Sequence, residues 1–340
     1  GGGGAQRRGD REGPHAPRVG ALADAGGWVR LLAVPLLCAC AATPQAGPRN
    51  PLSAVRSWAI QLQGLEKPGA AARLGAAGAD LVVIDAANTV RGSEEHPTAA
   101  LVAQLRRDGG LCLAYLNVGQ AEDYRAYWRN HWKAPTKDGP GTPDYLLSLD
   151  PEGWPGNYPV AYWDFRWRGV LWGGAGAPLD RILADGFDGV YLDWVLGYAD
   201  ATVRAAAEAQ GVDAKQAMVE LVRDLRAYAR KRKPGFLVIA QNCATLPDLM
   251  PHVDGLAQED LSFRGRADAT WDDEGAGDSA TPPEAQARLL EHLRGWRAKG
   301  VPVFTLDYAA DPANAEKARA LSRAEGFVPF VTRTPLDRLP

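Results

Sequence analysis

Gly186-Phe187-Asp188-Gly189-Val190-Tyr191-Leu192-Asp193-Trp194 reads as a turn, a short apolar run and an abrupt stop on an acid. A run of this length, bounded by glycine and rich in β-formers, is the pattern of a buried strand. The pattern recurs on both sides. Candidate strands lie at 58–63, 81–85, 111–117, 160–164, 189–193, 236–241, 255–259 and 301–307. Helical stretches lie between them at 97–107, 201–231, 283–299 and 312–324, and the helix at 201–231 carries mixed charges on one face, as an outer helix should. Strands that alternate with helices predict an α/β fold with a parallel sheet. Eight such units over about 280 residues match a single (β/α)8 TIM barrel, here expected over residues 58–340. The Gly- and Arg-containing, then acidic, segment 264–282 reads as a long loop, as does Gly173-Gly174-Ala175-Gly176.

Each candidate strand ends on a polar group: Gln63, Asp85, Asn117, Asp164, Asp193, Gln241 with Asn242, Glu259 and Asp307. A single acid at a strand end ordinarily caps the next helix or starts a turn. Eight polar ends with five carboxylates instead predict a polar cup at the C-terminal face of the barrel, where such ends converge. Asp193 and Glu259, on the proposed fifth and seventh strands, are the candidate catalytic pair. Glycoside hydrolysis needs two carboxyl groups flanking one bond, one to protonate the leaving oxygen and one to attack or to activate water. The plainer alternatives are a helix-capping Asp193 and a Glu259 that pairs with Arg264 or Arg266.

In chain order, Ala79-Asp80-Leu81-Val82-Val83-Ile84-Asp85, Ala114-Tyr115-Leu116-Asn117-Val118-Gly119-Gln120-Ala121-Glu122-Asp123-Tyr124-Arg125, Tyr162-Trp163-Asp164, Gly189-Val190-Tyr191-Leu192-Asp193, Gln241-Asn242, Glu259-Asp260 and Leu306-Asp307-Tyr308 form a specific series. The series resembles the endo-α-1,4-polygalactosaminidase-like glycoside hydrolases, a TIM-barrel family of the family 114 type, over roughly residues 56–338. The resemblance implies that Asp193 is the nucleophile and Glu259 the acid/base, and that Asp85, Tyr115, Asp164, Asn242 and Asp307 line the sugar subsite. Asn117 and Tyr308, from the same motifs, are placed with them. One position departs from the family pattern: Gln120 stands where many relatives carry Glu in Gly-Glu-Ala-Glu. A retaining mechanism on an α-linked amino-sugar polysaccharide, without cofactor, is the resulting expectation.

Aromatic side chains crowd residues 124–172, among them Tyr124, Trp128, Trp132, Trp154, Trp163 and Trp172. Flat rings stack on the C–H faces of sugars, and about half of these are expected to pack in the core instead. Trp194, directly after Asp193, is the best candidate for a platform in the cleft.

The chain has 340 residues, of which 46% are hydrophobic, 23% charged and 11 are Trp. Six Arg and three acids (Asp10, Glu12, Asp24) fall in 1–49, so the rest carries 32 basic against 38 acidic side chains, a formal charge of −6. This acidic body argues against nucleic acid as a partner and fits a neutral or cationic ligand. The chain's five His (His15, His96, His131, His252, His292) end no proposed strand, which counts against a metal-dependent hydrolase, and no metal site is expected. No Gly-x-Ser-x-Gly elbow and no phosphate-cradling Gly-x-x-x-x-Gly-Lys occurs. Cys112 and Cys243 read as core thiols, a disulfide being the alternative.

The first Met is Met218, and the Gly-, Arg- and Ala-rich stretch 1–29 is expected to be disordered or a mis-assigned start. Residues 30–42, with Leu31-Leu32-Ala33-Val34-Pro35-Leu36-Leu37-Cys38-Ala39-Cys40-Ala41-Ala42 after Arg30, read as a signal peptide too short to span a bilayer. Leu37-Cys38-Ala39-Cys40 resembles a bacterial lipobox, with Cys40 the lipidated residue and simple cleavage near Ala42 the alternative. Residues 43–57 read as a tether. The expectation is an exported monomer in the cell envelope or outside it, touching membrane only through the anchor. The competing reading is a catalytically silent carbohydrate-binding barrel on the cell surface.

Overall fold

The computed structural model describes residues 50–87, 98–107 and 109–340. Eight parallel strands form one nearly closed barrel: β1 (Trp58–Gln61), β2 (Leu81–Asp85), β3 (Leu111–Asn117), β4 (Gly189–Asp193), β5 (Leu237–Gln241), β6 (Gly255–Glu259), β7 (Val303–Tyr308) and β8 (Val328–Thr332). They follow one another in chain order around the sheet. Helices α1 (Ala70–Ala76), α2 (Thr98–Leu105), α3 (Phe165–Leu171), α4 (Pro178–Ala184), α5 (Ala201–Ala209), α6 (Ala214–Arg232), α7 (Pro283–Ala298) and α8 (Pro312–Ala324) lie on the connections. The fold class is the expected (β/α)8 barrel, with a different membership of strands.

Residues 160–164 are not a barrel strand. Asp164 instead caps α3, accepting the Arg166 N–H at 2.8 Å. The chain between β3 and β4 makes a long excursion over the C-terminal face. It begins with Gln120–Glu122, paired antiparallel with Asn157–Pro159, and ends with α3 and α4. The true eighth strand is β8, which pairs in register with β7 from Phe304 opposite Val328 to Tyr308 opposite Thr332. Pro329 lacks a backbone N–H, so β8 reads poorly as a strand. It is tolerated because the seam with β1 is bridged by other groups. The Trp58 indole donates to Val328 O at 3.0 Å, and the N–H groups of Leu62 and Gln63 donate to Leu336 O. The helix expected at 201–231 is divided into α5 and α6 at Gly211, whose φ is +65°, and Asp213 caps the second part through the N–H groups of Lys215 and Gln216.

Strand alternation separates two cores. Ile60, Leu81, Val83, Leu113, Tyr191, Ile239, Phe304 and Leu306 fill the barrel, while Val82, Ile84, Ala114, Val190, Leu192, Val238 and Ala240 face the helices. Continuing each inward row to the strand end brings Asp85, Tyr115, Asp193, Gln241, Glu259 and Tyr308 to one rim. Leu52 and Val55, expected in the tether, are buried in the barrel core at 1% and 3% exposure, and Asn50 donates to Asp254 O at 2.6 Å. Residues 30–42, Cys40 and residues 43–49 lie outside the described residues. Among the described residues no helix is long and apolar enough to cross a membrane.

Gly189 opens β4 against β5. A Cβ there would lie 2.2 Å from Leu237 O and 2.7 Å from Leu237 Cβ, so backbone must move. Gly189→Ala is expected to cost about 1–3 kcal/mol in urea unfolding; an unchanged midpoint would show that the two strands slide apart freely.

Candidate active site

Seven of the ten expected site residues, Asp85, Tyr115, Asp193, Trp194, Asn242, Glu259 and Tyr308, line one cleft of about 710 Å³ at the C-terminal rim. That volume suits a small-molecule or oligosaccharide segment. Asp193 and Glu259 end β4 and β6, with Gln241 of β5 between them. Their charges interact, the ionised Asp193 raising the Glu259 carboxyl.

Each acid is held by its neighbours. Asp193 Oδ2 accepts from the Tyr115 hydroxyl at 2.6 Å, and Oδ1 accepts the Trp194 N–H at 2.7 Å. Trp194 sits at φ +58°, and Gly119 lets it approach, since a Cβ there would fall 2.4 Å from Trp194 O. Burial pushes the Asp193 carboxyl up to about 6, against the hydrogen bonds from Tyr115 and Trp194 that favour the charged form. Glu259 Oε1 accepts from the Tyr308 hydroxyl at 3.0 Å, and Oε2 lies 3.4 Å from Asn242 Nδ2. Asn242, at φ +55°, also accepts the Glu259 N–H at 2.8 Å and the Gln258 amide at 3.0 Å. It thus clamps the end of β6 to β5. Burial, then the charges of Asp260 and Asp193, push the Glu259 carboxyl up to about 8. Two carboxyl groups in one cleft therefore titrate on opposite sides of neutrality.

One wall of the cleft is a buried ion triad that sequence reasoning did not assemble. Arg125 grips Glu122 through Nε and Nη2 at 2.8 and 3.2 Å and reaches Asp85 Oδ1 through Nη1 at 2.8 Å. Exposures are 8% for Arg125, 3% for Glu122 and 2% for Asp85. The Tyr124 hydroxyl adds a bond to Glu122 Oε1 at 2.7 Å, and its ring lies 5.2 Å under the guanidinium. All four residues stand in the quoted motifs, but their meeting depends on the segment 120–125, paired with Asn157–Pro159, reaching the end of β2.

Three expected sugar-binding residues lie outside this cleft. Asn117 is buried and serves the backbone, accepting the N–H groups of Gly119 and Gln120 at 3.2 and 2.9 Å. Asp164 caps α3 and pairs with Arg166 at 2.6 Å. Asp307 faces away from the barrel interior, since Thr305 on the same face of β7 meets Ser322 of α8 at 2.8 Å. Its carboxylate accepts the N–H groups of Ser262 and Phe263 at 2.6 and 2.9 Å and so ties down the loop after Glu259. The inward residue is its neighbour Tyr308. Of the aromatics, Trp132 and Trp167 are buried packing, whereas Tyr124, Trp154 and Trp194 line the cleft. Cys112 and Cys243 are separate buried thiols. Among the described residues no group of three or more His, Cys, Asp or Glu side chains is placed to hold a metal ion.

The model of glycoside-hydrolase family GH114 matches residues 39–339. The chain belongs to family GH114. This GH114 chain is therefore a glycosidase. An uncharacterized protein of Deinococcus radiodurans is 36% identical over 294 residues, covering 85% of this chain and 83% of its own length. The glycoside hydrolase domain of PelA from Pseudomonas aeruginosa superposes with a TM-score of 0.59 at 23% identity, covering 84% of this chain and 97% of that one. Ega3 of Aspergillus fumigatus, in complex with galactosamine, superposes with a TM-score of 0.56 at 16% identity, covering 84% and 93%. Both share the barrel.

Proposed function

We propose that this GH114 glycosidase hydrolyses an α-linked amino-sugar polysaccharide by a retaining, two-carboxylate mechanism. The observation that carries the reading is the placement of Asp193 and Glu259 in one cleft at the ends of β4 and β6, where burial pushes the first carboxyl up to about 6 and the second up to about 8. Environments that push two carboxyl groups apart assign one as base or nucleophile and the other as acid. Asp193, ionised first, attacks the anomeric carbon, while Glu259 gives its proton to the departing glycosidic oxygen. A glycosyl ester on Asp193 results. Glu259, now ionised, takes a proton from water, which attacks the anomeric carbon, breaks its bond to the Asp193 oxygen and frees the carboxylate. Tyr115 and the Trp194 N–H hold the nucleophile in place; Tyr308 and Asn242 hold the acid.

The preference for an amino sugar is supported by charge. Besides Glu259, which is held protonated, the cleft lining carries five acids (Asp85, Glu122, Glu152, Asp193, Asp200) and one guanidinium, Arg125, already engaged by two of them. Such a lining concentrates cations. The fold is also that of Ega3, seen with galactosamine. Export through residues 30–42 with lipidation at Cys40, action as a monomer, and polysaccharide as the only partner belong to the same proposal. Membrane fractionation of a Cys40→Ala variant tests the anchor: a protein that stays membrane-bound removes it.

Activity requires Asp193 ionised and Glu259 protonated. As pH falls through about 6 the nucleophile is lost; as it rises through about 8 the acid is lost. The expected profile of kcat/KM is a bell between limbs near those values, belonging to the interacting pair. A flat profile from pH 5 to 9 on deacetylated galactosaminoglycan, or no release of reducing ends from any amino-sugar glycan, rejects the assignment. The latter result favours the silent binding barrel. Proton NMR of the first-formed anomer decides retention against inversion.

A further inference from the structure

The two-acid mechanism leaves unused a third carboxylate on the rim of the same cleft, Glu152, carried on a loop built with unusual care. Asp150 Oδ1 accepts the N–H groups of Glu152 and Trp154 at 2.8 and 2.9 Å, which folds residues 150–154 into a tight turn. Gly153 sits between them at φ +88°, a conformation glycine supplies. Asp150 Oδ2 is in turn held by Gln120 Nε2 at 2.5 Å. Gln120 is 1% exposed, and its Oε1 accepts from Asn117 and Asn157 at 3.1 and 3.3 Å. The neutral amide suits this place: its Nε2 donates to Asp150, which an ionised carboxylate at position 120 would instead repel. The departure at Gln120 is thus the anchor of a loop that presents Glu152 and Trp154 to the cleft.

Glu152 lies on the rim, lines the cleft, and its charge reaches both Asp193 and Asp260 across it. No basic side chain pairs with it among the described residues: the cleft's one guanidinium is taken up by Glu122 and Asp85. Trp154, half-buried, follows it on the same turn and also lines the cleft. The floor opposite carries acceptors without donors. Asp85 Oδ2 and Gln241 Oε1 belong to residues 2% and 5% exposed, line the cleft and have no hydrogen-bond partner. A ligand rich in N–H and O–H donors would satisfy them.

We propose that the 150–155 loop is the specificity element of this cleft, with Glu152 taking the ammonium group of a deacetylated hexosamine while the Trp154 ring stacks on that sugar, and with Gln120 as the positioning residue. The inference rests on the amino-sugar reading above and narrows it. Glu152 is exposed on the rim, free to make a charge-assisted hydrogen bond with an ammonium group, whereas an N-acetyl group offers a neutral, bulkier partner. Discrimination for the deacetylated unit therefore resides in one side chain.

The test compares wild type, Glu152→Gln, Glu152→Asp and Gln120→Glu, each with a fully deacetylated galactosamine oligosaccharide and its N-acetylated counterpart, by calorimetric binding and by turnover. Glu152→Gln should weaken binding of the deacetylated oligosaccharide by about 10-fold or more, and of the acetylated one by about 2-fold or less. Glu152→Asp should recover part of the loss. Gln120→Glu, which touches no ligand, should raise KM for the deacetylated substrate more than it lowers kcat. Equal losses on both oligosaccharides, or no loss, overturn the proposal, as does a wild type that binds neither. A wild type that binds with Glu152-dependent preference yet hydrolyses nothing supports this inference and rejects the hydrolytic one. Hydrolysis whose preference ignores Glu152 does the reverse.

Discussion

Asp193→Asn is expected to lower hydrolysis by about 10⁴-fold or more, and Glu259→Gln by about 10²–10⁴-fold on a polysaccharide. The amide at 193 cannot supply the electron pair that displaces the glycosidic oxygen, and no other unpaired carboxylate shares its position between Tyr115 and Trp194. The amide at 259 leaves the nucleophile intact and removes only the proton donor. An aryl glycoside with a good leaving group needs little protonation, so Glu259→Gln should recover much of its first-step rate on that substrate while Asp193→Asn should not. Equal behaviour on the aryl glycoside would interchange or abolish the assigned roles. Loss of fold is separable from loss of chemistry by the sign of the stability change. Both carboxyl groups are raised by burial. A raised carboxyl favours the fold while protonated, and that contribution is lost as pH climbs from about 4 through the folded values near 6 and 8. The amide variants should therefore melt above wild type at pH 8 to 9 and level with it near pH 4. Catalytic acids kept in a buried cleft cost stability at the pH where they work.

Arg125→Met should have the largest effect on folding. It removes the cation that bridges Asp85 and Glu122, the only one to do so among the described residues, leaving two buried carboxylates with that Coulombic partner gone. Breaking a buried pair from one side costs about 3–5 kcal/mol, because the remaining charge is neither solvated nor compensated. Urea unfolding at pH 7 should show a loss of that size. Combining Arg125→Met with Asp85→Asn and Glu122→Gln should restore part of the loss, since no net charge then remains buried. If the single variant costs less than about 1 kcal/mol, water reaches the triad and it is part of the open cleft rather than its wall. The Tyr124 hydroxyl on Glu122 and the Tyr124 ring under the guanidinium make the triad a rigid boundary for the sugar site.

Much of this was readable from local pattern. β2, β3, β4 and β6 occupy the residues their apolar runs mark, and Asp85, Asp193 and Glu259 sit at the rim because strand ends of like parity point inward. The errors share one cause. Residues 160–164 have the composition of a strand but find no free edge, since β3 already pairs with β4 from Leu113 opposite Gly189 to Asn117 opposite Asp193. Residues 328–332 lack a strand's look because of Pro329, yet complete the barrel at a seam that needs no N–H there. Asp307 reads as a rim group from its place at a strand end, but a shift of one residue along a strand reverses the face, and Tyr308 takes the inward place.

By itself the sequence determined the fold class, the family pattern and the rim positions of the two acids proposed for catalysis, because strand periodicity and a polar terminus are local properties written in a few consecutive residues. Only the tertiary structure decided which strands close the barrel, that Arg125 joins Asp85 to Glu122, and that Gln120 carries Glu152 to the rim. Those are meetings between segments tens of residues apart, and their energies arise from burial and charge that no single stretch of chain contains.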